Sequence, residues 1–180
     1  MSGSSKTPLE HLVYLQQLCL EHAHGLPQQE EADEEWLGIG FRLGKLQLVA
    51  PLGEVAEILT PPGLSRVPRT KNWVCGIANV RGNLMPIMDL QGYLYDRTAV
   101  VKRHSRILVV NHDGVYSGLV VDAVMGLRHF RDEQRCDELP GDDEHLHQYM
   151  LHGFKVGAEH WGVFSLHAVA QAPQFLKAAI

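Results

Sequence analysis

The chain has 180 residues, of which 45% are hydrophobic and 21% charged, an ordinary composition for a globular protein with a real core. Its formal net charge of −5 argues against a general binder of nucleic acid or anionic membranes, since such proteins usually present a basic face. The apolar runs are too short to span a bilayer, and the N-terminus lacks a secretory signal. Three cysteines without a Cys-x-x-Cys pair are typical of reduced thiols. We therefore expect a cytoplasmic protein with no direct membrane insertion and no nucleic-acid partner.

Residues 1–35 predict an amphipathic helix followed by an acidic linker. The sequence Thr7-Pro8-Leu9-Glu10 is a capping box with proline at the first helical position, and apolar residues then recur at helical spacing as far as Gly25. Residues 28–35 are "QQEEADEE", a run that indicates a solvated linker. This helix either packs on the rest of the protein as a cap or docks a system-specific partner.

After Trp36 the pattern changes to short strands separated by glycine turns. Residues 38–52 predict two strands with a turn at Gly44, and residues 55–59 predict a third strand. Residues 106–127 repeat this design, with Asp113-Gly114 as the hairpin signal. The chain is therefore predicted to be mainly β.

The two halves of this β region align weakly with each other. Val55-x-x-Ile58 after the first hairpin matches Val124-x-x-Leu127 after the second, and the order of later glycine and capping positions also agrees. We interpret this as an internal duplication that gives two small antiparallel β-barrels with a shared core. Between them, residues 131–145 predict an exposed loop or a short helix.

Catalytic and metal-binding patterns are weak. Two His-x-His pairs, His22/His24 and His145/His147, are not accompanied by a Cys-x-x-Cys or His-Glu-x-x-His motif. A ligand- or metal-sensing module that uses its histidines stays open as the alternative function. Asp89 and Asp122 each close a strand, where aspartate commonly caps a turn or helix. The sequence thus predicts no enzyme and no cofactor.

Arg81 is the residue that most needs an explanation. It lies in the turn Asn79-Val80-Arg81-Gly82, and the second half has no matching arginine-glycine turn, so the barrel itself does not require it. A guanidinium at such a turn needs an acceptor, and Glu57 on a neighbouring strand is the nearest candidate. An exposed pair stabilises the fold by only ~0–1 kcal/mol, so we expect this pair to orient the turn.

These residues resemble the CheW-like chemotaxis coupling proteins. The resemblance rests on the pattern "VxEI…P…VPxTxxWVxGIANVRGNLMPIMDL" between Val55 and Leu90, followed by "GLVVDAV" at residues 118–124. It covers residues 36–172 and implies a CheW-like domain there, made of two intertwined five-stranded, SH3-like antiparallel β-barrels, with residues 173–180 as a C-terminal tail. The N-terminal extension is similar to that of the PilI-type couplers of type IV pilus and twitching-motility systems.

The resemblance also implies partners. Family members bridge the cytoplasmic tip of a methyl-accepting chemoreceptor and the regulatory domain of a CheA-type histidine kinase, within membrane-bound receptor arrays, and have no chemistry of their own. Cys75 departs from the family, which often has a polar or basic residue there, so the preference for a receptor at this position is open. The positions that match the receptor-facing region are Val55, Glu57, Ile58, Gly76, Asn79 and Arg81, with a salt bridge between Glu57 and Arg81.

Overall fold

The computed structural model describes residues 35–141 and 143–178. The predicted N-terminal helix and nearly all of the acidic linker lie outside these residues. Within them the chain is mainly β, which confirms the predicted class.

The strands, in chain order, are β1 (Glu35–Leu43), β2 (Leu46–Pro51), β3 (Glu57–Leu59), β4 (Val74–Val80), β5 (Asn83–Asp89), β6 (Arg106–His112), β7 (Val115–Val121), β8 (Ala123–Arg131), β9 (Arg135–Cys136), β10 (Met150–Val156) and β11 (Glu159–Phe164). The helices are α1 (Leu90–Tyr95), α2 (Glu144–His147), α3 (Leu166–Gln171) and α4 (Pro173–Leu176), and single 3-10 turns cover Leu52–Glu54 and Asp132–Gln134.

Two-residue turns set the register of the hairpins. Asp113 and Gly114 have φ of 48° and 79°, and they join β6 to β7 as their sequence predicts. Arg81 and Gly82 have φ of 52° and 88° and join β4 to β5. Positive φ at both central residues is what a type I′ hairpin turn requires.

The strands form one sheet in the order β8-β1-β2-β11-β10-β9 and a second sheet in the order β3-β6-β7-β5-β4. The prediction of two five-stranded antiparallel barrels is wrong in three respects. One sheet has six strands, and each sheet contains a parallel pair, β2 with β11 and β5 with β7. Among the described residues, the strand ladders leave both sheets open. The parallel pairs arise from an exchange of hairpins. Each half of the chain places its first hairpin beside the second hairpin of the other half.

The order of elements repeats along the chain. A hairpin (β1–β2), a strand (β3), a second hairpin (β4–β5) and a helix (α1) are followed by an equivalent hairpin (β6–β7), strand (β8), hairpin (β10–β11) and helix (α3). The strand-to-strand neighbours in the two sheets are equivalent in the same way. This agrees with the internal duplication inferred from the sequence.

The core consists of a shared cluster between the sheets and one cluster within each sheet. In β6, Leu108 and Val110 join the shared cluster while Ile107 and Val109 face the cluster of their own sheet. Since side chains alternate along a strand, β6 is buried on both faces, which explains its continuous run of aliphatic residues. The cluster within the other sheet includes Phe130, whose ring stacks on that of Phe154 in β10.

The segment after residue 172 contributes to the shared cluster. Phe175 of α4 is buried, and its ring stacks on Trp73 at a centroid distance of 5.8 Å. Tyr93 packs edge-on against Phe175, and its hydroxyl is hydrogen-bonded to Tyr149 over 2.8 Å. Part of the predicted C-terminal tail is therefore a helix anchored in the core.

Candidate functional site: the Glu57–Arg81 surface

The structure brings Glu57 and Arg81 together. Arg81 Nη2 donates to Glu57 Oε1 over 2.5 Å, and the two side chains are 27% (Glu57) and 78% (Arg81) exposed. Glu57 begins β3 and Arg81 follows β4, which are the two opposite edge strands of their sheet. The sheet must therefore curl until its edges approach each other, and the ion pair spans the remaining gap.

A side-chain hydrogen bond and a glycine stabilise the turn that carries Arg81. Asn79 Oδ1 accepts a hydrogen bond from the Gly82 amide over 2.9 Å, which satisfies a backbone donor that the two-residue turn would leave free. Gly82 has φ of 88° and open space around it, so glycine is needed there for its backbone conformation. The left-handed backbone at Arg81 points its side chain toward β3. The result is an exposed guanidinium directed at Glu57.

Apolar side chains lie near this pair. Ile58 follows Glu57 on β3 and is 40% exposed, and Val55 is half-buried against the shared cluster. Leu84 is directly opposite Asn79 in the β4–β5 register and is 72% exposed, more than any other large hydrophobic residue of the described chain. Sequence reasoning missed Leu84, although its place two residues after the predicted turn could have indicated exposure. An exposed apolar group beside a fixed charge is typical of a binding surface. We call Glu57, Ile58, Asn79, Arg81 and Leu84 the Glu57–Arg81 surface.

Gly76 differs from the other matched positions because it is buried. Its φ is 140°, and a Cβ at this position would lie 2.4 Å from the carbonyl oxygen of Ser65. Ser65 crosses over β4 here and exchanges two backbone hydrogen bonds with Ile77. Gly76 therefore allows a chain crossing, and its contribution to the surface is indirect.

The carboxylates that could have suggested catalysis cap turns. Asp89 is buried and accepts hydrogen bonds from the amides of Gln91 (3.1 Å) and Val100 (2.8 Å). Asp122 accepts from the Gly44 amide (2.7 Å) and pairs with Lys102 (3.4 Å). Both use their oxygens to hold loops, as the capping interpretation predicts.

Titratable side chains outside the Glu57–Arg81 surface form no candidate site for catalysis or metal binding among the described residues. Burial, aided by the negative charge of Asp89, raises the pKa of the Cys75 thiol to about 12, so this half-buried cysteine stays protonated and unreactive. His112 and His167 stack in parallel at 3.8 Å between their rings. In residues 35–141 and 143–178, no group of three or more His, Cys, Asp or Glu side chains is arranged to hold a metal ion.

Comparison with known proteins decides the family. Residues 37–173 match the CheW-like domain. The chain belongs to the CheW-like family. It is 45% identical over 175 residues to the protein PilI of Pseudomonas aeruginosa, covering 97% of this chain and 98% of PilI, which confirms the resemblance to the PilI type.

More distant CheW-like proteins share part of the chain. The chemotaxis protein CheW of Helicobacter pylori is 34% identical over 95 residues, which are 53% of this chain and 58% of that protein. The crystal structure of the scaffolding protein TtCheW from Thermoanaerobacter tengcongensis superposes with a TM-score of 0.62 at 22% identity, over 81% of this chain and 89% of that one. This second similarity supports the CheW-like fold. None of the helices among the described residues is long and apolar enough to cross a membrane.

Proposed function

We propose that this protein is a non-enzymatic adaptor that couples methyl-accepting chemoreceptors to a CheA-type histidine kinase in a chemosensory system of the type IV pilus and twitching kind. Membership of the CheW-like family and the similarity to PilI over almost the whole chain support this function. The protein acts in the cytoplasm, through a CheW-like domain at residues 36–172 that follows the predicted N-terminal helix and linker, and is recruited to membrane-bound receptor arrays.

The observation that carries the proposal is the Glu57–Arg81 surface. An exposed guanidinium held in one orientation by Glu57, with Ile58 and Leu84 exposed nearby, offers an anchor and a specific charge to a receptor helix. The pair is present in only one of the two equivalent halves of the chain, as expected of a site and not of a framework. Val55 and Gly76 support this surface from within the fold.

Coupling by such a protein needs two partners bound at the same time. Each contact can be weak, because attachment of receptors and kinases to one array raises the effective concentration of every further contact. Signal then passes as a change in how receptor and kinase are held relative to each other.

The test is calorimetric titration of the full chain with a receptor-tip fragment and, separately, with the regulatory domain of the CheA-type kinase. We expect the native protein to bind both. Arg81→Ala should weaken receptor binding about tenfold or more, since interface arginines are frequent hot spots, and should leave kinase binding unchanged. The free energy of unfolding should change by less than ~1 kcal/mol, since the pair is exposed.

Two further variants sharpen the result. Glu57→Gln leaves Arg81 in place without its ionic partner and should lower receptor affinity less than Arg81→Ala. Arg131→Ala removes an exposed arginine from the other sheet and is the matched control. Equal loss of receptor binding in the Arg81 and Arg131 variants would refute the assignment of this surface. Failure of the native protein to bind either partner would refute the adaptor function.

A further inference from the structure

A groove of about 450 Å³ lies between residues 64–75 and residues 98–101. Its lining is mixed, with apolar side chains such as Leu64, Val67 and Val74 beside polar ones such as Thr70 and Asn72. Arg66 and Lys71 are exposed at its rim. All its lining residues belong to the described chain, and none of them is a carboxylate or an aromatic residue. We call it the basic groove.

The charge around the basic groove is opposite to that of the whole chain. The segments 61–73 and 96–105 contain one carboxylate, Asp96, whereas the chain as a whole has a formal net charge of −5. Their cationic residues are Arg66, Arg69, Lys71, Arg97, Lys102 and Arg103. Among the described residues, only Lys102 of this set forms an ion pair. Such a concentration of unpaired positive charge produces a local field that attracts acidic groups.

Hydrophobic side chains continue the basic groove outward. Val100 and Val101 are 56% and 38% exposed, directly before Lys102 and Arg103. Two neighbouring exposed valines have no role in the core. Their position beside the cationic rim makes one continuous surface with apolar and basic parts.

Backbone and side-chain hydrogen bonds hold the walls of the groove in place. The Ala99 amide donates to the Asn72 carbonyl oxygen over 2.8 Å, which ties the two loops together. Asp89 Oδ2 accepts from the Val100 amide over 2.8 Å, and Thr70 Oγ1 donates to the Val67 carbonyl oxygen over 3.0 Å. A groove that is already formed binds with a smaller entropic cost than one that must be ordered.

The basic groove is separate from the Glu57–Arg81 surface. Cys75 at the start of β4 lines the groove, and Arg81 follows the end of the same strand. Six residues of extended chain at about 3.3 Å each place the two positions roughly 20 Å apart. Two partners can therefore be bound at the two ends of β4 together.

We propose that the basic groove binds an acidic segment of a partner protein, with an apolar side chain of that segment inserted between Val67, Val74 and Val101. The apolar side chains in this mixed lining fit a single side-chain anchor, and the cationic rim fits the carboxylates on either side of it. Single-stranded nucleic acid is a poorer fit because no aromatic side chain is available for base stacking in the lining. A flat anionic membrane cannot fill a concave groove. The proposal does not depend on the assignment of the Glu57–Arg81 surface to a receptor.

The test uses ¹⁵N-labelled full-length protein and a synthetic peptide in which glutamates flank a central Leu-Phe pair. We expect amide shifts concentrated at Thr70, Asn72 and Ala99. The double variant Arg66→Glu/Lys71→Glu should weaken binding about tenfold or more, since two attractions become repulsions. Arg131→Glu is a charge-reversal control on the other sheet, and Arg81→Ala should leave peptide binding unchanged. Higher salt should lower the affinity.

Three outcomes would overturn the proposal. One is equal binding of a peptide in which Ser-Gly replaces Leu-Phe, since the apolar anchor would then be irrelevant. Another is the absence of localised shifts with the Leu-Phe peptide. The third is that the protein does not bind the Leu-Phe peptide but binds phosphatidylglycerol vesicles or single-stranded DNA through Arg66 and Lys71. A dispersed amide spectrum of each variant verifies that it is folded.

Discussion

The β4–β5 and β10–β11 hairpins occupy equivalent places in the two halves of the molecule, and they differ most at their turns. Arg81 lies at the first turn and pairs with Glu57, whereas the second turn contains Gly157 and no arginine. The position on β8 that corresponds to Glu57 is Gly126. Both members of the ion pair are therefore missing from the second half. The ion pair is therefore a feature that the fold common to the two halves does not need.

What the two hairpins do share is a requirement of the fold. Each begins near a glycine that another segment crosses: Gly76 beneath Ser65 and Gly153 beneath Glu138. Each is followed by a helix whose first turn is capped by a side chain, Asp89 in one half and Ser165 in the other. Duplicated glycines and caps thus define the framework on which one half has acquired a site.

Replacing either of the two crossing glycines should destabilise the protein more than removing a helix cap or an exposed ion pair. A Cβ would lie 2.4 Å from a carbonyl oxygen at both Gly76 and Gly153, and backbone cannot move aside as a side chain can. We expect Gly153→Ala to lower the free energy of unfolding by about 2–3 kcal/mol. Gly76→Ala should cost more, since its φ of 140° also strains any other residue.

Chemical denaturation measures both losses. Gly63→Ala is the control, because no atom lies within 4 Å of a Cβ there, and it should change the free energy of unfolding by less than about 1 kcal/mol. If Gly76→Ala and Gly63→Ala were equally stable, the crossing at Ser65 would not be a packing constraint.

Patterns of adjacent residues predicted much of this framework. They could not predict which distant strands pair with each other. The Asp113-Gly114 turn depends on adjacent residues, and so does the arginine-glycine turn at Arg81. The parallel pairing of β2 with β11 joins Leu48 to Gly162, and nothing in either strand encodes that neighbour, so an antiparallel barrel was the wrong prediction. The basic groove was also missed. Its two walls are separated in sequence and are tied together by the Asn72–Ala99 hydrogen bond.

The two equivalent helices also differ in how they are capped, and this difference gives a second test. Asp89 caps α1 from within its own half. Ser165 likewise caps α3 from within its own half, but there Glu54 of the first half is added, and it accepts from Ser165 Oγ (3.0 Å) and from the His167 amide (3.0 Å). Glu54→Ala should therefore lower the free energy of unfolding by about 1–2 kcal/mol, since it removes a largely buried acceptor from two donors.

Glu57→Ala is the natural control for this change. Glu57 lies three residues after Glu54, but its pair with Arg81 is more exposed. Denaturant titration should show a smaller loss for Glu57→Ala, below ~1 kcal/mol. The opposite order would mean that the exposed pair contributes more to the framework than the cap, and the distinction between framework and site would fail.

The residues directly before the two crossing glycines supply the smallest and most selective test. Cys75 precedes Gly76 and His152 precedes Gly153, and the surroundings of both side chains favour the neutral form. Burial raises the pKa of Cys75, whereas burial and then the positive charge of Arg135 lower the pKa of His152 below its ordinary value of 6.5. The His152 ring packs edge-on against Trp36 and Phe154, and its Nε2 is buried without a hydrogen-bond partner in the described chain. The carboxylates of Asp132 and Asp137 oppose this shift but do not cancel it.

The direction of the pH effect follows from proton binding. Between the lowered pKa of the folded protein and 6.5, the unfolded chain binds a proton at His152 that the folded chain does not, so stability falls as pH falls through this window. Above 6.5 His152 is neutral in both the folded and the unfolded chain, so it no longer contributes to the pH dependence of stability. We expect His152→Phe, which keeps the aromatic contacts, to reduce the loss of stability between about pH 7 and about pH 5.5. His104→Phe is the control, since His104 is exposed and its side chain forms no ion pair among the described residues. Urea titrations of the three proteins at both pH values give the comparison, and an unchanged pH slope in His152→Phe would show that the position before the second glycine does not need an uncharged side chain.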